Sequence, residues 1–204
     1  MDSHGSLRGR VLNDPTFQEN GYLLWREGEP EAWVIDPGFA PQPRAFVSAL
    51  GEHRLTARQI VLTHCHVDHI AGVTPLRDAL PGLTLVAPAG EVSLLGDPVE
   101  NLSAMLGLMV TAREPVAVVA PGDTLTMCGL PWRVIEVAGH SPGGLAFHCE
   151  PAKVAFVGDS VMAERIGRYD FPHSNHGSLI DNIRRNILTL PDDTLLYPGH
   201  GPAA

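Results

Sequence analysis

The chain is short of positive charge. Fourteen lysines and arginines stand against 23 aspartates and glutamates, giving a formal net charge of −9 over 204 residues. A general nucleic-acid binder needs a basic face to meet phosphates, so that class is excluded. No apolar run approaches the length of a membrane span. The first residues, Met1-Asp2-Ser3-His4-Gly5-Ser6, lack the charged-then-apolar layout of a signal peptide. No membrane partner is expected, and the location expected is the cytoplasm. Cysteines are few, odd in number and scattered: Cys65, Cys128 and Cys149. That fits free thiols in a reducing compartment. There is no low-complexity segment or short-period repeat. What remains is ordinary: 44% hydrophobic and 18% charged residues, at a length that suits a single domain over residues 1–204.

Against this background one stretch stands out, Thr63-His64-Cys65-His66-Val67-Asp68-His69, directly after the apolar run Ile60-Val61-Leu62. Neutral imidazole and carboxylate are ligands of zinc and similar divalent ions. In an extended segment His64 and His66 share one side while Cys65 points away. Asp68 and His69 fall at the following turn, within reach of a second metal position. Three further apolar runs each end in a glycine and a potential ligand: Val134–Gly139 before His140, Val154–Gly158 before Asp159, and Leu195–Gly199 before His200. Glycine lets the backbone come close to an ion. Five histidines and two aspartates on loops after buried strands suit two metals sharing one bridging carboxylate.

The pattern of apolar runs and turns predicts strands at Asn20–Trp25, Ala32–Ile35, Ile60–Leu62 and Leu83–Ala87 in the first half, with helices over Pro43–His53 and Ile70–Leu80. The second half is strand-rich: Val116–Val119, Thr124–Cys128, Trp132–Val137, Leu145–Cys149, Val154–Val157 and Leu195–Tyr197, with a helix over Ser178–Leu190. Glu91 to about Glu114 reads as a helical cover over the core in preference to a substrate-touching flap, since apolar stripes are usually core. Two strand sets with helices between and after them suggest two sheets packed face to face. His148 reads as structural or exposed, and His4 and His53 as surface residues.

The order His-x-His-x-Asp-His, then His, Asp and His, resembles the metallo-β-lactamase-fold hydrolases, from Asn20-Gly21-Tyr22 to Pro198-Gly199-His200-Gly201-Pro202. The segment Ile166-Gly167-Arg168-Tyr169-Asp170-Phe171-Pro172, followed by Asn175-His176, is similar to the Gly-Arg-Thr-Asp-Phe-Pro segment of small single-domain glyoxalase II-like (hydroxyacylglutathione hydrolase-like) enzymes, with Tyr169 where threonine is usual. The resemblance implies an α/β fold, an αββα sandwich of two mixed β-sheets flanked by helices. It implies that His64, His66 and His140 hold one metal, that Asp68, His69 and His200 hold the other, and that Asp159 bridges. Zinc is the expected metal, with iron or manganese as alternatives. Asp68 would also act in catalysis, orienting the nucleophile or carrying its proton. Arg168, Tyr169, Phe171 and His176 would line the substrate site. The implied activity is hydrolysis of a small-molecule thioester such as S-lactoylglutathione by a metal-bridging hydroxide. A mononuclear iron persulfide dioxygenase is the alternative, and a lactonase or other ester hydrolase of the same fold a further one. A β-lactamase, a nuclease or a non-catalytic metal binder is less favoured.

Overall fold

Adjacent side chains on the central strands enter different cores, and this builds the layers. On β2 (Asn20–Arg26) Leu23 packs outward and Leu24 inward, as the two-residue period of a strand requires. β1 (Leu7–Asn13), β2, β3 (Glu31–Ile35), β4 (Thr56–Val61), β5 (Thr84–Pro88) and β6 (Val116–Val119) form a six-stranded sheet in that spatial order. β1, β2 and β3 pair antiparallel, and β3 to β6 pair parallel. Parallel neighbours need crossovers. These are supplied by α1 (Gln42–His53) between β3 and β4, and by α2 (Val67–Ile70) and α3 (Val73–Ala79) between β4 and β5. The computed structural model describes residues 6–112 and 116–203.

The second sheet holds β7 (Thr124–Met127), β8 (Leu130–Glu136), β9 (Leu145–Cys149), β10 (Val154–Gly158) and β13 (Leu195–Pro198), in the order β13-β10-β9-β8-β7. A small hairpin, β11 (Val161–Met162) with β12 (Arg165–Ile166), and α4 (His176–Asn182) lie between β10 and β13 in the chain. Between the sheets sit Tyr22, Leu24, Trp33 and Ile35 from one side and Trp132, Val134, Phe147 and Phe156 from the other. Outside the first sheet Phe46, Leu50 and Leu76 pack on Leu23, Val34 and Ile60. Outside the second, Leu179, Ile183 and Ile187 pack on Ile135, Ala146 and Ala155. This is the αββα sandwich of two mixed sheets that the resemblance implied.

Several elements differ from the sequence reading. β1 was not expected, because its polar composition and mostly exposed side chains carry little hydrophobic signal. The helix expected over Ile70–Leu80 is two short helices interrupted near Gly72. That residue lies so close to the preceding loop that a Cβ would sit 2.6 Å from the Gly38 carbonyl oxygen. The helix expected over Ser178–Leu190 begins at His176, capped by the Asn175 side chain accepting from the Ser178 N–H at 2.9 Å, and widens into a π-turn over Ile183–Ile187. The cover expected over Glu91–Glu114 is two short 3₁₀ segments, Ala89–Gly96 and Ser103–Leu106. Leu94 and Leu95 join the core, but Met105 remains 68% exposed. The region is thus part cover and part open shelf; residues 113–115 lie outside the described residues.

β8, β9 and β10 pair antiparallel in turn and β10 pairs parallel with β13, so the C-terminal ends of β8, β10 and β13 emerge at one edge. The chain after β4 joins that edge: the Leu145 N–H donates to the Thr63 carbonyl at 2.8 Å. All four loops that bear the candidate ligands therefore meet there.

Candidate metal centre

Four of the five imidazoles in the cluster, those of His64, His69, His140 and His200, are held through one ring nitrogen so that the other points inward. Asp36, at the end of β3, receives the Thr63 N–H at 2.7 Å and the Thr63 hydroxyl at 2.6 Å. The same carboxylate receives His69 Nδ1–H at 3.1 Å. His64 Nδ1 meets Thr63 Oγ1 at 3.1 Å. His140 Nδ1–H donates to the Arg168 carbonyl at 2.8 Å, and His200 Nδ1–H to the Phe17 carbonyl at 3.2 Å. These contacts fix tautomer and ring orientation, as partners behind metal-bound histidines do.

The inward atoms converge. Donor atoms of His64, His66 and His140 lie within 4.8 Å of one another, and so do those of Asp68, His69 and His200. Asp159 stands between the two sets, with an oxygen 3.6 Å from His140 Nε2, 3.5 Å from His69 Nε2 and 3.4 Å from His200 Nε2. Asp36 forms a third such group with His64 and His69, but its oxygens already serve Thr63 and His69 Nδ1, so we assign it a supporting role. Among the described residues His64 Nε2, His69 Nε2 and Asp159 Oδ1 are buried without a hydrogen-bond partner. Buried polar atoms are rarely left unpaired, and a divalent cation satisfies all three. The donor set therefore fits divalent metal.

Electrostatics agree. Burial drives the His64 ring well below its usual pKa, helped by the neighbouring rings, and burial drives His66 down to about 3. Both stay neutral, the form that binds metal. For His69 burial acts downward too, but Asp68, Asp159 and Asp36 outweigh it and hold the group well above its ordinary value. Burial opposes ionisation of Asp68, yet His69 and His200 hold its carboxyl below the usual range.

Glycine is needed at Gly199. A Cβ there would lie 2.2 Å from Asp159 Oδ1 and 2.6 Å from His69 Cε1, so only glycine lets β13 pass the cluster. Cys65 is buried in the outer core, away from the rings.

Besides Asp36, two buried carboxylates were missed by the sequence reading. Glu91 is fully buried and accepts from the Cys65 N–H at 2.5 Å, the Gly143 N–H at 2.9 Å and the Ser141 hydroxyl. It thereby ties the His64–His69 loop to the His140 loop. Glu19 accepts from Gln42 Nε2 at 2.6 Å, and burial drives its pKa well above the ordinary value. Neither lies near the ligands in sequence. A charged residue in an apolar segment, as Glu91 is, was the only available signal.

The cluster forms the floor of a cavity of about 460 Å³. Phe17, Leu102, Met105, Leu106, Met162 and Ile166 give it apolar walls, with Arg165, Arg168 and Phe171 at one side. Arg168 and Phe171 thus lie where a substrate contact was expected, whereas Tyr169 and His176 are not among the lining residues. Their rings pack on each other at 4.3 Å. The Arg168 guanidinium makes two bonds to Asp170, at 2.9 and 2.8 Å, and covers the Phe171 ring at 4.2 Å. Phe171 in turn meets His66 and His140 edge-on at 5.5 and 5.7 Å. The segment braces the metal cluster from the side. His173 pairs with Glu100 at 2.9 Å. His148 is buried, with Nε2 unpartnered, and His53 packs on Trp25. His4 lies outside the described residues.

Comparison with known proteins agrees with the fold. The family described as the metallo-beta-lactamase superfamily matches residues 14–200. The chain belongs to this superfamily. Its members are metal-dependent enzymes, and the His/Asp cluster is the candidate site for divalent metal here. Hydroxyacylglutathione hydrolase GloC of Haemophilus influenzae is 30% identical over 193 residues, covering 94% of this chain and 89% of that protein. The human mitochondrial persulfide dioxygenase ETHE1 is 31% identical over 193 residues, covering 94% and 67%. Among solved structures, the BLEG-1 B3 metallo-beta-lactamase superposes with a TM-score of 0.90 at 31% identity, covering 97% of this chain and 93% of that one. The di-iron-bound form of TTHA1623 gives 0.82 at 30% identity, covering 96% and 93%. Among the described residues no helix is long and apolar enough to cross a membrane.

Proposed function

We propose that this protein hydrolyses a thioester, S-lactoylglutathione or a related hydroxyacyl thioester, with two divalent metal ions, most simply zinc. The observation that carries the reading is the seven-residue cluster: two complete three-ligand sets with Asp159 between them, opening into a cavity with apolar walls. The Gly167–Pro172 segment beside it and the likeness to GloC support the thioester in particular. When bound, the ions would supply a water of lowered pKa and polarise the scissile carbonyl.

The chain's own groups do the rest. His64, His66 and His140 form one binding set; Asp68, His69 and His200 form the other. Asp68 faces the cavity with an oxygen 3.2 Å from His200 Nε2. It is placed to orient the attacking water and to pass its proton towards the leaving thiolate. Phe171, pinned by Arg168, keeps the His66 and His140 rings from turning. The apolar walls exclude bulk water from the acyl group. A cytoplasmic location goes with this reading, and the three free, buried cysteines support it.

The test is S-lactoylglutathione hydrolysis by purified protein, with metal content measured on the same sample. Turnover with close to two metals per chain is expected. Two bound metals without turnover would move the substrate to another thioester, a lactone or a β-lactam. A single iron with oxygen uptake on a persulfide would favour the second reading, a persulfide dioxygenase, which the likeness to ETHE1 supports. Against that reading stands His200, which completes a second ligand set with Asp68 and His69.

A further inference from the structure

The cavity's two arginines are not equivalent. Arg168 is neutralised by the paired bonds to Asp170 and fixed over Phe171. Arg165 also lines the cavity, yet among the described residues it has no ion pair and no side-chain hydrogen bond. It sits on the β11–β12 hairpin directly opposite Met162. Paired residues on opposed strands share a face, and both side chains border the cavity. Met105 and Leu106, which line the same cavity, are 68% and 46% exposed and make an apolar shelf that is open among the described residues. The carboxylates in the cavity, Asp68 and Asp159, are engaged with His69, His140 and His200. The cavity therefore offers one uncommitted cation beside an apolar surface.

We infer that Arg165 determines substrate choice by receiving a carboxylate of the substrate, while Met105, Leu106 and Met162 receive the alkyl carbon next to it. This rests on the thioesterase reading and narrows it to amphipathic, anionic thioesters. A guanidinium takes a carboxylate through two parallel N–H bonds. An arginine already engaged by Asp170 must break that pair first. Arg165, not Arg168, is thus the discriminating residue.

The experiment uses metal-loaded full-length protein and two matched substrate pairs. Hexanoyl and adipoyl thioesters of N-acetylcysteamine differ by a terminal carboxylate on the acyl half. Hexanoyl thioesters of N-acetylcysteamine and of glutathione place the difference on the thiol half. Arg165→Met should lower kcat/KM for the anionic member of at least one pair at least about tenfold more than for its neutral partner, the loss of one charge-assisted contact. The loss should appear in KM, and Arg165→Lys should recover part of it. Arg168→Met should affect both members of a pair alike. Equal losses from Arg165→Met in both pairs overturn the inference. If wild-type protein hydrolyses no thioester, the catalytic reading fails, and calorimetric binding of S-hexylglutathione decides the inference separately. Binding that Arg165→Met weakens about tenfold upholds a carboxylate site; no binding, or binding the substitution leaves unchanged, overturns it.

Discussion

Replacing Glu91 with glutamine should destabilise the protein and loosen its metal site although Glu91 touches no ligand side chain. One carboxylate oxygen accepts from the Gly143 N–H and the Ser141 hydroxyl, the other from the Cys65 N–H. A glutamine retains one acceptor oxygen. If that oxygen keeps Ser141 and Gly143, its NH₂ group faces the Cys65 N–H, and two donors oppose each other in a fully buried place. A buried donor left unpaired costs about 1–3 kcal/mol, and hydrogen bonds to a charged acceptor lose part of their strength when the charge is removed. The sum is about 3 kcal/mol. A chain of this size shifts its melting temperature by about 2–4 °C for each kcal/mol, so Tm should fall about 6–12 °C. Calorimetry on the metal-loaded protein, with Glu52→Gln on the exposed face of α1 as control, measures it. Metal affinity, measured by competition with a chelating dye, should weaken too, because the bond network joins the loops of His64 and His140. A Glu91→Gln protein that melts within 2 °C of the control, a margin well inside the ~6 °C expected, would refute the claim that this carboxylate clamps the two loops.

The same structure makes other expectations. Asp159→Ala should abolish turnover and lower metal content below that of the wild type, because Asp159 faces His69, His140 and His200 together; full metal occupancy with full turnover would remove it as the bridge. Gly199→Ala drives a methyl group into Asp159 and His69, so kcat should drop by an order of magnitude or more while circular dichroism shows the fold retained; wild-type kcat would mean that β13 has room to shift. Burial raises the thiol pKa of Cys65, Cys149 and Cys128, the last to about 12. All three thiolates are therefore depleted at pH 8, and a thiol reagent should label none in native protein and all three in denaturant. Fast native labelling would contradict the burial.

The candidate ligands were legible in the sequence because each follows an apolar strand run, and a strand's fate is written in neighbouring residues. That local grammar also exposed the sheets, α1 and the glycines that let the backbone approach the cluster. It failed where the determinant is distant or weak. β1 pairs with β2 along its full length, yet its Arg8-Gly9-Arg10 centre looks like loop. The break near Gly72 follows from contact with Pro37 and Gly38, which no window around residue 72 contains. Tyr169 and His176 sit within a motif whose neighbours line the cavity, but motif membership does not say which way a side chain turns. These two rings turn towards each other.

The supporting carboxylates show why the remainder was hidden. Glu19, Asp36 and Glu91 are almost wholly buried, and burying a carboxylate is costly unless donors or positive charge meet it. Asp36 is met by Thr63 and His69, Glu91 by two loop N–H groups and a hydroxyl, and Glu19 by Gln42 on one oxygen only. The other oxygen of Glu19 has no partner. Burial drives the carboxyl pKa of both Glu19 and Glu91 upward, and His69 lies among the influences that oppose it. Metal ions bound to the cluster would add positive charge at the same place. On that argument the buried acids and the ligand histidines are one electrostatic unit assembled from separate parts of the chain. A sequence read segment by segment shows the histidines, whose chemistry is conspicuous, and passes over the acids, whose role exists only after folding.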